Sequence, residues 1–391
     1  MFDHLIEIPA KVRFGVGSIA QLGKVASEYG KRAFLVYDPY LNDSDIIKHV
    51  ILDLERNGIL NTSFANISPN PRNTVIDEAA AKCVSNNCDV VIGIGGGSAI
   101  DSAKAIAIVA KNGYKSWDYT RRFGEECVLP EKGKLPLIVV PTTSGTGTEA
   151  TPFSVINNPG LHFKATIVDI ECYPTIALVD PALTISMPPF ITALTGIDAF
   201  AHAFEAYISR VDNPFVDAIA LEAIRLFVEN IEECVNYGDN IGARSNMMIC
   251  STLSGIAIGH CCTTMPHAIA QALGGITDAP HGGAIATCIN QVIEWTLPLC
   301  EEKFAKVAEI FDASISELPN IDKAKKLPEY IDKLFMSIMD GKLVNMRTYG
   351  LKDDQVDNLV DVVLKFYYGD CELHPKVPSK EDIRGVVMNC L

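Results

Sequence analysis

Asp89-Val-Val-Ile-Gly93-Ile-Gly95-Gly96-Gly97-Ser98 runs straight into Ala99-Ile-Asp101-Ser-Ala-Lys104-Ala-Ile-Ala-Ile-Val-Ala110. The first part is an apolar run of strand length that ends in glycines. The second is rich in Ala, lacks Gly and Pro, and reads as a helix. A buried strand that turns through glycines into a helix is one unit of a parallel sheet with helices on its faces. The same alternation extends to either side. Residues 11–17 suggest a strand and turn, Ser18–Tyr29 a helix, Arg32–Asp38 a buried strand ending in an acid, and 43–57 a helix. A strand near Thr62–Ala65 and a helix over Asn73–Asn86 complete the approach. Leu135–Pro141, Phe163–Asp169 and Ile176–Asp180 read as further strands, and Tyr114–Lys134 as the main loop.

After Met187-Pro188-Pro189 the pattern becomes helical, over 191–208, 214–235, 243–258, 266–273, 283–297, 301–311, 320–338, 353–367 and 380–390. The expected organisation is an α/β domain over 1–185 and an all-α domain over 186–391, with a crevice between them as the expected active site. No internal repeat or low-complexity segment is present.

Two loops of the first half can bind phosphate. Glycines let the backbone approach a diphosphate, and free N–H groups at a helix start favour its charge. Gly93 to Ser98 departs from the G-x-G-x-x-G fingerprint at its last position and comes late in the chain, so a plain tight turn competes with phosphate binding. Pro141-Thr-Thr-Ser-Gly-Thr-Gly-Thr-Glu149 follows a strand and is dense in hydroxyls. It suits hydrogen bonding to phosphate and ribose, or else is a solvated turn.

The second half contains Gly196-Ile-Asp198-Ala-Phe-Ala-His202-Ala-Phe-Glu205-Ala-Tyr207. Asp198 and His202 are four apart on a helix and share a face. His267 and His281 follow, and an Asp/His/His/His set suits Fe, Zn, Mn or Co rather than Ca or Mg. On spacing alone, such a pair is more often a surface pair or a satisfied core pair than a metal site.

The chain has 391 residues, 48 acidic against 33 basic, a net charge of −15 and 48% hydrophobic content. That balance argues against broad nucleic-acid binding, and no apolar run reaches the length of a membrane span. The N-terminus lacks a signal-type pattern and the 12 cysteines form no CxxC, so a cytoplasmic protein with reduced thiols is expected.

The ordered set of motifs resembles the iron-containing (group III) alcohol dehydrogenase family. It comprises Gly95-Gly-Gly-Ser-Ala-Ile-Asp101-Ser-Ala-Lys104, Pro141–Glu149, Thr151-Pro-Phe-Ser-Val155, Asp180–Pro189, Gly196–Tyr207, His267 with Pro280-His281-Gly282, and Met346-Arg-Thr-Tyr-Gly350. The likeness covers nearly the whole chain.

The resemblance implies a dehydroquinate-synthase-like fold, with a nucleotide-binding α/β domain and a helical metal-binding domain. It also implies NAD(P)-linked interconversion of small alcohols and aldehydes, a metal cation stabilising the charge that builds on the substrate oxygen. By position it gives Asp198, His202, His267 and His281 as metal ligands, Fe2+ rather than Zn2+. It gives Asp38, Gly96, Gly97, Ser98, Asp101, Thr142, Thr143, Thr146, Phe153, Val155 and Lys164 as cofactor positions. Asp38, closing a strand, is read as favouring NAD over NADP.

His267, Gln271 and His260 are the expected catalytic positions. Gln271 stands where many members carry a second His, and a Gln cannot act as general acid or base. His260 is a substitute relay candidate. A homodimer or larger homo-oligomer is expected. The alternatives are a zinc enzyme resembling glycerol dehydrogenase and a lyase resembling dehydroquinate synthase. The lyase needs several basic groups, and 190–285 holds only Arg210, Arg225 and Arg244.

Overall fold

The computed structural model describes residues 4–122, 124–161 and 163–391. The chain divides into two compact units. One comprises Glu7–Thr143 and Gly147–Thr184; the other comprises Ile185–Leu391, Ser144–Thr146 and the N-terminal segment ending at Ile6.

The first unit runs β1 (Lys11–Phe14), α1 (Leu22–Ser27), β2 (Arg32–Tyr37), α2 (Asp45–Arg56), β3 (Leu60–Phe64), α3 (Asn73–Ser85), β4 (Val90–Gly95), α4 (Gly97–Asn112), β5 (Leu137–Pro141), β6 (Phe153–Asn158), β7 (Phe163–Val168) and β8 (Ile176–Val179). Six strands form one parallel sheet in the order β1-β8-β5-β4-β2-β3. Its central strands are buried along their whole length, as a sheet covered on both faces requires. Leu35, Ile92, Ile94, Ile138, Val140 and Leu178 of the sheet share a core with Leu22 and Leu54 of the helices.

Register fixes the site of this unit. Tyr37 pairs with Ile94, and Gly95 with Pro141. Asp38, Gly96–Ser98 and Thr142 therefore all follow the C-terminal ends of three adjacent strands, where ligands of parallel sheets bind.

Phe163–Asp169 is a strand but not one of the main sheet. It pairs antiparallel with β6, which the sequence reading did not anticipate. The connection from β6 to β7 is too short for the crossover a parallel pair needs.

The second unit holds α5 (Pro189–Ile208), α6 (Pro214–Asn236), α7 (Ile241–Cys261), α8 (Met265–Thr277), α9 (His281–Phe311), α10 (Asn320–Ile338), α11 (Val356–Val362), α12 (Tyr368–Glu372) and α13 (Lys380–Asn389). Phe200 of α5 stacks on Phe204 and Phe227 and meets Phe311 and Phe335 edge-on, which ties four helices into one core. The helices read as 283–297 and 301–311 are one element, kinked at Cys300 two residues after Pro298. Proline removes a helical N–H and crowds the preceding turn, yet packing keeps the segment helical. Among the described residues no single helix is long and apolar enough to cross a membrane.

Candidate active site

α5 is buried on nearly every side, yet it carries Asp198, His202 and Glu205 at i, i+4 and i+7, on one face. Their exposures are 5%, 6% and 0%. Ionisable groups placed so deeply are costly unless each has a partner. α8 brings His267 to this stripe and α9 opens with His281. A Cβ on Gly282 would lie 2.0 Å from the Leu194 carbonyl oxygen of α5. Glycine at 282 is therefore what lets the start of α9 lie against α5.

Asp198 Oδ1 is 3.6 Å from His202 Nε2, 3.6 Å from His267 Nε2 and 3.5 Å from His281 Nε2. These separations are too long for hydrogen bonds. Asp198 Oδ1 and His267 Nε2 are buried without a hydrogen-bond partner. Ligands about 2.1 Å from a shared tetrahedral ion lie roughly 3.4 Å apart. Spacing, donor types and orphaned atoms thus fit a divalent transition metal. Among the described residues, the ligand atoms of Asp198, His267 and His281 lie within 4.8 Å of one another. His202 adjoins this trio through Asp198 and stacks on the His267 ring at a centroid distance of 4.7 Å.

Glu205 had no role in the sequence reading. Its Oε1 accepts a hydrogen bond from His267 Nδ1–H at 2.5 Å, while Oε2 accepts from the Thr264 N–H at 2.6 Å and the Thr264 hydroxyl at 3.1 Å. The carboxylate fixes the His267 tautomer so that the Nε2 lone pair faces Asp198 and the metal position. The only sequence signal was its i+7 spacing from Asp198; its partners lie about sixty positions away. In Glu205→Gln the amide would donate to Nδ1 and move the ring proton to Nε2. Metal affinity is expected to fall roughly 10- to 100-fold, read by chelator-competition titration. Unchanged affinity would reduce Glu205 to a packing role.

The electrostatics of the metal-free cluster agree. Burial alone would raise the Asp198 carboxyl, but His202, His281 and His267 hold it far below the usual carboxylate range. Burial pushes His267 down, but Glu205 and Asp198 outweigh it and raise it to about 10. Metal binding there displaces a proton.

Gln271 lies one turn after His267 on α8 and is partly exposed. His260, in the last turn of α7, has Nδ1 2.7 Å from the Ile256 carbonyl, so that nitrogen carries the proton. Asp370 of α12 is a further group absent from the sequence reading. Burial raises its carboxyl to about 7, against a Thr263 hydrogen bond.

In the sheet unit, Gly96 caps α4, and Gly97 and Ser98 form its first turn. These three are partly open, while Ala99–Val109 is buried except at Asp101, which is partly exposed. Asp38 Oδ2 accepts the Gly96 N–H at 2.8 Å. Gly95 has φ +146, and a Cβ there would lie 2.2 Å from Asp38 Oδ2, so only glycine lets the two strand ends meet. Burial raises the Asp38 carboxyl to about 6, opposed by the Gly96 hydrogen bond. The Thr142 hydroxyl is 3.0 Å from the Tyr40 hydroxyl, and Thr143 flanks Gly96. Thr146 falls in the short segment that groups with the helical unit.

Phe153, Val155 and Lys164 share one face of the β6–β7 hairpin. Val155 pairs with Thr166, Asn157 with Lys164, and Ser154 and Ile156 point to the buried side. Lys164 Nζ also reaches Asn70 Oδ1 at 2.8 Å.

Asp101 is engaged within the protein: Oδ1 accepts from the Thr148 hydroxyl at 2.6 Å and Oδ2 from the Val155 N–H at 3.0 Å. Lys104, fully buried, donates to Thr148 Oγ1, Thr151 O and Phe153 O. Together they pin the loop and β6 to α4, a function the sequence did not disclose.

Comparison with known proteins gives a consistent result. Residues 9–181 match iron-containing alcohol dehydrogenase, and residues 192–390 match the C-terminal part of the Fe-containing alcohol dehydrogenase family. The chain is 33% identical over 389 residues to 1,3-propanediol dehydrogenase of Klebsiella pneumoniae, covering 99% of this chain and 98% of that one. It is 30% identical over 387 residues to NAD-dependent methanol dehydrogenase of Bacillus methanolicus, covering 98% and 99%. The crystal structure of a 1,3-propanediol oxidoreductase superposes with a TM-score of 0.93 at 33% identity, covering all of both chains.

Proposed function

Since the chain belongs to the iron-containing alcohol dehydrogenase family, we propose that it interconverts a small alcohol and its aldehyde with NAD and one divalent metal, iron before zinc. It is a metal-dependent alcohol dehydrogenase, and the observation that carries the reading is the Asp198, His267 and His281 convergence with its orphaned buried ligand atoms. Asp198, His202, His267 and His281 would hold the metal. When bound, the metal supplies a Lewis acid for the substrate oxygen and NAD exchanges the hydride.

The remaining work falls to the protein. Glu205 keeps the His267 proton on Nδ1. Gly96, Gly97 and Ser98 present the start of α4 to a diphosphate. Asp38 favours NAD over NADP through its carboxylate. Gln271, an amide, orients rather than titrates.

The lyase alternative loses support because its three candidate arginines are engaged. Arg210 bonds the Glu372 carbonyl, Arg225 pairs with Glu222 and Glu229, and buried Arg244 bonds Thr192 and Gly238. The test is NADH oxidation with a panel of short aldehydes, with and without chelator. Chelator-sensitive turnover is expected; turnover of none of them would refute the reading.

We further propose a cytoplasmic homo-oligomer. All twelve cysteines are free. β1 is a sheet edge, Val12 and Phe14 are 39% and 43% exposed along it, and Val16 in the turn that follows is 62% exposed. Such an edge invites pairing with a second copy. Light scattering should give at least twice the chain mass, and Val12→Lys with Phe14→Lys should reduce it to one chain. A monomeric wild type would contradict this.

A further inference from the structure

The C-terminus of α3 closes in a motif whose side-chain contact is usually apolar but here consists of two thiols. The Cys88 N–H bonds the Cys83 carbonyl at 3.1 Å and the Asn87 N–H bonds the Val84 carbonyl at 2.9 Å. Asn87 between them has φ 51, in the left-handed region. This 6→1 and 5→2 pair is the Schellman arrangement, which presses the residue two past the cap against the third residue from the helix end. Those residues are Cys88 and Cys83. The 3.1 Å bond and standard bond lengths hold their Cα atoms within about 7 Å, and the curl of the motif brings them nearer, into the range a disulfide spans.

The two thiols are unequal. Cys83 is fully buried and Cys88 partly exposed. The Cys83 thiol lies within hydrogen-bonding reach of the Cys88 sulfur, and the Thr62 hydroxyl, the Asp89 carboxylate and Arg32 also lie beside it. The hydrogen bond from Cys83 draws the Cys88 thiol down to about 7, while the same contact, with burial, drives Cys83 up. The Cys83 and Thr62 donors and the Arg32 cation outweigh burial and the Asp89 carboxylate, the setting of a reactive thiolate.

We propose that Cys83 and Cys88 form a reversible dithiol–disulfide site that reacts with peroxides. The Cys88 thiolate attacks one peroxide oxygen; an S–O bond forms, the O–O bond breaks, and the departing hydroxide is protonated to water. Cys83 then attacks the Cys88 sulfur of the sulfenic acid; the S–S bond forms, the S–O bond breaks, and hydroxide leaves with the Cys83 proton as a second water. Two thiols lose two electrons and the peroxide gains them. A thiol reductant such as glutathione reverses the reaction by exchange. The pair precedes β4, whereas Gly95–Ser98 follows it, roughly 20 Å away along the strand.

The test uses the metal-loaded enzyme treated with a few equivalents of hydrogen peroxide, alkylated, and digested with trypsin. The peptide Cys83–Lys104 carries both thiols, no other cysteine and none of the metal-site residues. The expected result is that it loses two hydrogens, resists alkylation, and regains both alkylation sites after reduction. In Cys83→Ala, Cys88 should stop at a sulfenic acid trapped by dimedone. Its alkylation rate at pH 7 should also fall roughly tenfold as the lost hydrogen bond returns it toward an ordinary thiol. A Cys83–Lys104 peptide still fully alkylated after partly exposed Cys127 and Cys262 have been oxidised would overturn the proposal. So would a Cys88 alkylation rate unaffected by Cys83→Ala.

Discussion

His267→Ala is expected to remove most of the bound metal and to lower turnover by on the order of a thousandfold, the effect of losing several kcal/mol of charge stabilisation. The cause is local. His267 is held by Glu205 at Nδ1 and faces Asp198 with Nε2. Its removal also leaves Glu205 buried opposite an apolar methyl. Breaking such a buried pair costs roughly 3–5 kcal/mol of stability, so a lower melting temperature should accompany the loss. His281→Ala separates the two effects. The His281 side chain is 41% exposed against 3% for His267, so this variant should lose metal and activity with little loss of stability. Normal metal content in both variants would remove the assignment.

Asp38→Gly is expected to raise the NADPH-to-NADH ratio of kcat/KM by roughly ten- to a hundredfold. A carboxylate about 4 Å from a 2′-phosphate costs on the order of 4 kcal/mol at an effective dielectric near 20, and screening by solvent and salt lowers that figure. The structure adds a pH dependence. Because burial raises Asp38 to about 6, its charge is present above that pH and is lost below it. Wild-type preference for NADH should therefore weaken as pH falls from 8 to 5.5, and the glycine variant should show no such trend. Asp38→Asn is the control, since an amide oxygen keeps the Gly96 hydrogen bond without the charge. It should move the ratio toward NADPH at pH 8 while retaining the loop. A glycine variant with the wild-type ratio would show that Asp38 serves the loop alone.

Much of this was legible in the residues. Val90–Gly95 and Gly97–Asn112 follow from an apolar run, glycines and an Ala-rich run, all local signals. Asp198 and His202 follow from helical spacing, and His267 and His281 from family order. What stayed hidden depends on contacts between distant segments. β6 carries an ordinary alternating pattern, and nothing within Phe153–Asn158 says that its partner is β7 rather than the main sheet. Glu205 looks like any helical acid until Thr264 and His267 are placed beside it. Asp38 reads as a strand-end carboxylate, and only the β2–β4 register shows its bond to Gly96. Asp101 reads as a cofactor contact, and its bonds to Thr148 and Val155 show only once those distant segments are placed beside it.

The central claim is that turnover depends on a metal held in the helical unit by Asp198, His202, His267 and His281. It is tested most directly by measuring metal per chain and NADH-dependent aldehyde reduction on the same anaerobically purified samples, after graded chelation and after reloading with Fe2+. The account predicts one metal per fully active chain, activity proportional to metal content, and recovery on reloading. Full turnover from protein stripped of metal would contradict it.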